Sequence, residues 1–469
     1  MEHKRQFLIC KKQLSYPRFK SLALNDNLFL YYHDDLSILV SHCKQNILIG
    51  SAFKSVSGTI LDDLNNMTDN NCHMLTANWS GRWIILVGNN LYTDPGGMLG
   101  CYYSDLLEGA VISSSLALLN EQFLFEEEKD FKNIEYGNAM NWFPPPLTKL
   151  KGVRKLLVGQ SLNIDELTID NRPYLENKFV HLAPDELYIT LAKRLAEIIK
   201  NVSAEYGDDV YLPLTGGFDS RTILAALLHN KASFSAFLFE HDNLSHADKS
   251  LPPILATKYD FSLQFIKREN AFDDNKYAEY VANSSGQAAD AGVLFYSYGQ
   301  YEPLEQSSSS QKKIILRGGV WEVGRKIYST ALINDSLSSE ADIMENLKQC
   351  FPILKESKLH EQSIKLWIKH TQENRSNLSF KDRFYLEQRV SGWLSALEQA
   401  SDLTGFDRIH PANCQDILDL LSLTTEHPQP KIMSYLQPDL LETPFNCKSL
   451  NELPKRFYNY ISQKIKRWC

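Results

Sequence analysis

Residues 211–228 read YLPLTGGFDSRTILAALL, and this stretch decides the architecture of the chain. An apolar run (Val210, Tyr211, Leu212, Leu214) enters it, and Ile223 to Leu228 leave it with the composition of a helix. The pattern predicts a strand, a glycine turn and a helix. Adjacent glycines at Gly216 and Gly217 let the backbone come close to a bound group and take dihedrals other residues avoid. Thr215, Asp219 and Ser220 set two hydroxyls and a carboxylate around a turn whose N–H groups open a helix. Unpaired N–H groups and the helix dipole both favour a phosphate at such a turn. No GxxxxGKS or GxxxxGKT occurs, so this is not the common P-loop with its phosphate-reaching lysine.

Around that stretch the chain runs to 469 residues, long enough that two domains are expected. Its 43% hydrophobic and 23% charged residues are those of a soluble globular protein. The net charge of −8, with no strongly basic segment, argues against nucleic acid as a partner. Eight scattered cysteines include no CxxC pair, which predicts reduced structural thiols. The N-terminus, MEHKRQFLICKKQ, lacks the apolar run of a signal peptide, and no later segment approaches a membrane span of about 18 apolar residues. The expectation is a cytoplasmic protein with no membrane partner.

Residues 1–175 show short apolar runs, at Leu28–Tyr32, Ile47–Ile49, Trp83–Val87 and Val111–Ile112, between turn signals. Asn65–Asn71, Asn89-Asn90 and Asp94-Pro95-Gly96-Gly97 supply the turns. The reading is mostly β, with short helices near Ser114–Leu119 and Phe131–Met140.

Thr215-Gly216-Gly217-Phe218-Asp219-Ser220 resembles the SGGxDS pyrophosphate loop of the asparagine-synthetase-like ATP pyrophosphatases. Motifs of residues 1–175 are similar, in order, to that family's glutamine-amidotransferase domain. They are Trp79-Ser80-Gly81-Arg82-Trp83, Asp94 through Tyr103, Ile112 through Ser115, and Pro146 through Gly159. The resemblance implies an α/β protein with an amidotransferase-like αββα β-sandwich over 1–175. Over 180–469 it implies a parallel-sheet ATP-pyrophosphatase domain, adenine nucleotide α-hydrolase-like, with a helical C-terminal part. It implies ATP and Mg2+ as cofactors. Working amidotransferase domains of this type use a cysteine nucleophile at position 2, where this chain has Glu2; Cys10 lies in a predicted strand without a free amine. This first domain is therefore expected to be a scaffold that releases no ammonia.

In the second domain Pro184-Asp185-Glu186 starts a helix with Leu187, Leu191, Leu195 and Ile198 on one face. Phe234–Phe239, Leu263–Ile266 and Lys312–Leu316 read as further strands, and Ser245 begins a helix that Pro252-Pro253 interrupts. The resemblance sets Phe237 through Phe239 beside the adenine, with Phe239 the candidate contact and the others sheet core. Asp248 matches a family position and equally suits a helix cap. Ser285 through Asp290 is a polar turn that could approach the ligand, and Ser307–Ser310 a loop. Arg317-Gly318-Gly319-Val320-Trp321-Glu322 stands where the family has a G(D/E)GxDE turn with a magnesium-binding aspartate. Trp321 takes the aspartate's place and Glu322 is kept. Either Glu322 supplies the carboxylate or Asp219 and the phosphates suffice. The ATP and pyrophosphate set is thus Leu214 through Ser220, Phe239, Arg317 and Gly319, with Asp219 and Glu322 on the metal. Arg317 and Arg325 add positive charge beside the phosphates.

From Ile343 onward the chain reads as helical, with Phe384–Ala396 and Ile409–Asn413 resembling the family's pocket-walling helices. Glu387 and Glu322 are candidates to take an amine's proton; Glu387 and Arg389 equally suit structural ion pairs. Lys448 is the nearest match to the family's adenylation lysine, with Lys455 and Lys431 as competitors, and Lys464 to Arg467 reads as a solvated helix end. The function implied is adenylation of a small-molecule or peptide carboxylate and its coupling to an amine, as in β-lactam synthetases and lasso-peptide macrolactam cyclases. The alternatives are ammonia-dependent asparagine synthesis, a non-catalytic nucleotide-binding member, and a tRNA thiolase; the missing catalytic cysteines and basic stretch argue against the last.

Overall fold

The computed structural model describes residues 2–104, 106, 109–132, 140–240, 244–267, 274–284, 287–288, 304, 312–325, 336–425 and 427–446. Among them no helix is long and apolar enough to cross a membrane. The fold is mixed α/β.

Among the described residues twelve strands precede residue 184: β1 (Phe7–Cys10), β2 (Phe19–Ala23), β3 (Phe29–His33), β4 (Ile38–Val40), β5 (Asn46–Lys54) and β6 (Trp79–Val87). β7 (Asn90–Thr93), β8 (Tyr102–Ser104), β9 (Val111–Ser113), β10 (Val153–Lys155), β11 (Gln160–Asn163) and β12 (Ile169–Asn171) follow. They form two six-stranded antiparallel sheets, ordered β10-β8-β9-β1-β3-β2 and β12-β11-β7-β6-β5-β4. Side chains alternate faces along a strand. Phe7 and Ile9 of β1 accordingly meet Ile47, Ile49, Ile84 and Leu86 of the other sheet. Leu8 and Cys10 point the opposite way, onto Leu116, Leu118 and Leu119 of α3 (Leu116–Phe123). On the far side Leu48, Trp83, Ile85 and Val87 are covered by α1 (Ile60–Asn66) and α2 (Cys72–Thr76). Because β1, β5 and β6 are buried on both faces, they read in sequence as continuous apolar runs. The Asn65–Asn71 cluster, read as a turn, holds the end of α1; Thr59 caps that helix by accepting from the Asp62 N–H.

The second assembly begins with α4 (Pro184–Tyr206), whose Leu187, Leu191, Leu195 and Ile198 are buried as their helical spacing predicts. Five parallel strands follow: β13 (Val210–Pro213), β14 (Ser235–Glu240), β15 (Ser262–Lys267), β16 (Ile314–Leu316) and β17 (Asp407–Ile409). Their order is β15-β14-β13-β16-β17, so the chain reverses direction across the sheet between β13 and β16. Val210, Leu212, Ile314 and Leu316 pack on α4 and on α5 (Phe218–His229), whereas Tyr211, Phe237 and Ile315 face the other side. Two expectations are corrected here. Ile409 belongs to β17 rather than to a helix: it pairs with Leu316 in a three-residue strand too short to carry a period. And α6 (His246–Tyr259) runs unbroken through Pro252 and Pro253.

Buried polar contacts join the antiparallel sheets to the later chain. The Arg82 guanidinium on β6 donates to both oxygens of Asp402 at 2.6 and 2.7 Å. Asn413 donates to Gly81 O at 2.7 Å and to Asp94 Oδ1 at 2.8 Å, and Arg5 pairs with Asp407 beside β17. Removing one member of a buried ion pair strands the other charge in a low-dielectric interior. Asp402→Ala should therefore lower unfolding stability by about 3–5 kcal/mol in urea titration. The Arg82→Met, Asp402→Leu double replacement should lose less than the single change.

Candidate active site

The turn between β13 and α5 sits at the carboxyl end of the central parallel strand, beside the point where strand order reverses. Crevices of this kind are where open parallel sheets bind ligands. Leu214 is buried in the core beneath it, its N–H donating to Phe237 O at 3.0 Å. The Ser220 hydroxyl accepts from the Thr215 N–H and pairs with the Thr215 hydroxyl, both at 3.0 Å, so the two hydroxyls fold the loop on itself. Neither Gly216 nor Gly217 has a positive φ, which corrects the expectation of unusual dihedrals. Gly216 is required for closeness: a Cβ there would lie 2.8 Å from Ala247 at the start of α6. Its N–H donates to Asp248 Oδ1 at 2.7 Å, and Asp248 Oδ2 accepts from Ser245, the α6 cap, at 2.7 Å. Ser245 thus caps the helix, and Asp248, three residues further on, ties that helix to the loop. No side chain caps α5 at Gly217.

A second turn, residues 317–322 after β16, closes on the first. A Cβ on Gly318 would lie 2.9 Å from Asp219 Cβ, so only glycine allows this approach. Gly319 is equally confined, donating its N–H to His410 Nδ1 at 3.2 Å. His410 Nε2 and the Arg317 guanidinium both reach Glu398, at 3.1 and 3.6 Å. Burial alone would raise the Glu398 carboxyl, but Arg317, His410 and Arg408 hold it below the usual carboxylate range. Val320 then takes φ +75°, a strained backbone for a β-branched residue. Val320 and Trp321 are fully buried in the core, so Trp321 roots the turn while Glu322 stays at its surface.

Glu322 opens the single turn α7 (Glu322–Arg325). Its Oε2 accepts from the Tyr385 hydroxyl and its Oε1 lies 3.0 Å from Arg325. The same Arg325 nitrogen is 3.4 Å from Asp219 Oδ2, while Asp219 Oδ1 accepts from Gln429. Burial pushes the Asp219 carboxyl up to about 6; Glu322 adds to the rise, and Arg325 and Gln429 oppose it. Tyr385, buried beside Glu322, is pushed far above the usual phenol range and so remains a donor.

A third segment, residues 443–446, lies across the first turn of α5. Arg221 donates to Thr443 O at 2.9 Å and Pro444 O at 2.6 Å, with its guanidinium 4.3 Å from the centre of the Phe445 ring. Phe445 stacks on Phe218 at 4.2 Å, and the Asn446 N–H donates to Gly216 O at 3.1 Å. Lys448, Lys455 and the 464–467 tail lie outside the described residues, as do 307–310, most of 285–290 and most of the helix expected at 131–140.

The structure therefore brings Thr215, Gly216, Gly217, Asp219, Ser220, Gly319, Glu322 and Arg325 to one crevice, with Arg317 one contact away. Phe239 is half-buried at the end of β14, packed at 5.3 Å on the wholly buried Phe237. Glu387 is engaged elsewhere: it accepts from Arg383 at 2.7 Å and from the Trp367 indole at 2.8 Å. It lines a separate cavity of about 160 Å³ with Arg172, Arg375 and Asp419. Arg389 lies over the Trp393 ring at 4.7 Å. Lys431 is 6.0 Å from the Tyr188 ring. Cys10 is buried in β1 with its thiol pushed up to about 11 by burial. Sequence reading placed Tyr385 and His410 only within stretches resembling pocket walls, and it passed over Gln429, Glu398 and the contacts of the 443–446 strap, all of which reach the site from far along the chain.

The sequence matches no protein-family model and no curated protein. Among solved structures, glutamine-dependent NAD+ synthetase from Acinetobacter baumannii with ADP has a TM-score of 0.24 and 16% identity. That match covers 39% of this chain and 34% of the synthetase, so this chain spans about a third of that protein. NMN synthetase from Francisella tularensis has a TM-score of 0.22 and 12% identity, over 44% of this chain and 93% of that one. Likeness at this level carries no activity across.

The raised Asp219 carboxyl has a measurable consequence. A group whose folded pKa lies above its unfolded value contributes stability at low pH and loses it as pH rises through the folded value. From its ordinary 3.8 to about 6, Asp219 progressively destabilises the fold by ionising. Asp219→Asn should then be more stable than wild type at pH 7, by about 1–2 kcal/mol after allowing for solvent screening. The gain should vanish below pH 4 in parallel unfolding titrations.

Proposed function

We propose that this protein is an ATP-dependent ligase that adenylates a substrate carboxylate and couples it to an amine. The observation that carries the reading is the close-packed, uncapped Thr215–Ser220 turn at the reversal point of a parallel sheet, faced by the glycine turn after β16. Helix N–H groups at the start of α5 are placed for the β- and γ-phosphates of ATP. A substrate carboxylate oxygen attacks the α-phosphorus, the bond to the bridging oxygen breaks, and pyrophosphate leaves into that turn. The amine then attacks the acyl carbon and displaces AMP. The proton it sheds falls to Glu322, which stands in the crevice beside Asp219 and Arg325, rather than to Glu387, which lines a separate cavity. Electrostatic stabilisation of the leaving charge comes from Arg325 and Arg317.

For magnesium, the donor set does not fit a protein-held ion: Arg325 already bridges Asp219 and Glu322. A metal arriving on the triphosphate comes as part of the substrate. Lys448, two residues beyond the anchored Asn446, is the proposed lysine of the adenylation step. The substrates are a small-molecule or peptide carboxylate and an amine, with no nucleic acid or membrane partner. Biosynthesis of a peptide or small-molecule natural product suits a chain with Glu2 in place of an ammonia-releasing nucleophile.

A second reading, a nucleotide binder without turnover, is favoured by one contact: Asp248 occupies the Gly216 N–H that a phosphate would otherwise use. Pyrophosphate release from ATP and Mg2+, assayed over amino acids and candidate peptides, separates the two. The ligase gives release that depends on one substrate and falls at least 100-fold in Asp219→Ala, a loss of about 2.7 kcal/mol in transition-state stabilisation. ATP binding without release across the panel favours the binder, and absence of ATP binding sinks both.

A further inference from the structure

Each of the four carboxylate oxygens of Asp219 and Glu322 has a donor of the chain itself. Gln429 serves Asp219 Oδ1 and Tyr385 serves Glu322 Oε2. One nitrogen of Arg325 serves the remaining two, at 3.4 Å from Asp219 Oδ2 and 3.0 Å from Glu322 Oε1. Two half-buried carboxylates facing each other require a cation between them, because repulsion would otherwise neutralise one. Here the cation is a guanidinium on the same short helix as Glu322. Its Nε is buried and has no partner among the described residues, so it keeps donor capacity directed to neither acid.

We infer that the Arg325 guanidinium stands in place of a divalent cation between Asp219 and Glu322, leaving this site to take a pyrophosphate with a single metal ion. A guanidinium stays charged and offers a planar fork of donors that matches phosphate oxygens. Its Nε, directed to neither acid, is the donor left for an oxygen of the leaving group, where a second ion would otherwise sit. Trp321 fits the same arrangement: the turn carries a core anchor at the position next to Glu322 instead of a further ligand. The exchange of a metal for a guanidinium deepens the ligase reading, but its apo form stands without it.

The test uses Mn2+ as the probe, read by the loss of its free-ion electron paramagnetic resonance signal. Without nucleotide, Arg325→Met should bind Mn2+ at least tenfold more tightly than wild type, and adding Glu322→Gln should remove the gain. A well-folded Arg325→Met that binds no better than wild type overturns the inference. So does wild-type binding that Asp219→Asn abolishes. Should the methionine variant fail to fold, wild type is titrated with Mn2+ in the presence of pyrophosphate. One Mn2+ per bound pyrophosphate supports the inference, and two overturn it. Wild type that binds no pyrophosphate counts against the ligase alone, and apo Mn2+ binding by Arg325→Gln then decides the guanidinium's role: a tenfold gain over wild type supports it and no gain overturns it.

Discussion

The crevice depends on two contacts from which a side chain is missing. Gly216 lies against Ala247, and Gly318 against Asp219, so closely that any Cβ would collide. Through them the turn after β13, the turn after β16 and the start of α6 converge within one small volume. Parallel strands deliver their carboxyl ends to the same edge, but side chains usually keep the following loops apart. With the glycines, Asp219 and Glu322 come near enough to share one nitrogen of Arg325. Gln429 and Tyr385, from distant helical segments, then complete the ring of donors.

Residues 398–413 hold this crevice to the antiparallel sheets. Glu398 gathers Arg317 and His410, and His410 receives the Gly319 N–H. Four residues after Glu398, Asp402 takes the Arg82 guanidinium of β6, and Asn413 reaches Gly81 and Asp94. One segment thus positions the second turn of the crevice and also anchors β6 and the turn at Asp94. The same contacts hold the segment from the side of the sheets, where the β1 cysteine is buried and its thiol pushed up to about 11.

The local elements were legible where a physical period or a turn signal is written into adjacent residues. The strand–turn–helix at 210–229 and the face of α4 are of this kind, because one run of side chains meets one surface. Reading failed where tertiary contact decides. β17 is three residues long and exists because Leu316 and its neighbours offer an edge. α1 lay under an asparagine-rich stretch that suggested only a turn, although Thr59 caps it. At the site, the loop residues are contiguous and could be named from sequence. Their partners Tyr385, Gln429 and His410 lie 63 to 210 residues away in the chain, and no spacing rule connects residues that only folding brings together.

The strap at 443–446 adds a constraint of a different kind. Arg221 sits in the first turns of α5, and among the described residues its guanidinium meets two backbone carbonyls and an aromatic face. Such contacts fix the position of a chain segment while leaving the acids of the crevice to other partners. Phe445 stacks on Phe218, whose own backbone belongs to the glycine turn, and Asn446 closes on Gly216 O. Movement of the turn on binding an anion would therefore pull on the strap, and movement of the strap would reshape the turn. The coupling runs through hydrogen bonds to main-chain atoms, so it is insensitive to the identity of most strap side chains and sensitive to Arg221. Sequence comparison alone would pass over the strap for that reason, while the Asn446 N–H and the Arg221 guanidinium tie it to the loop and to α5.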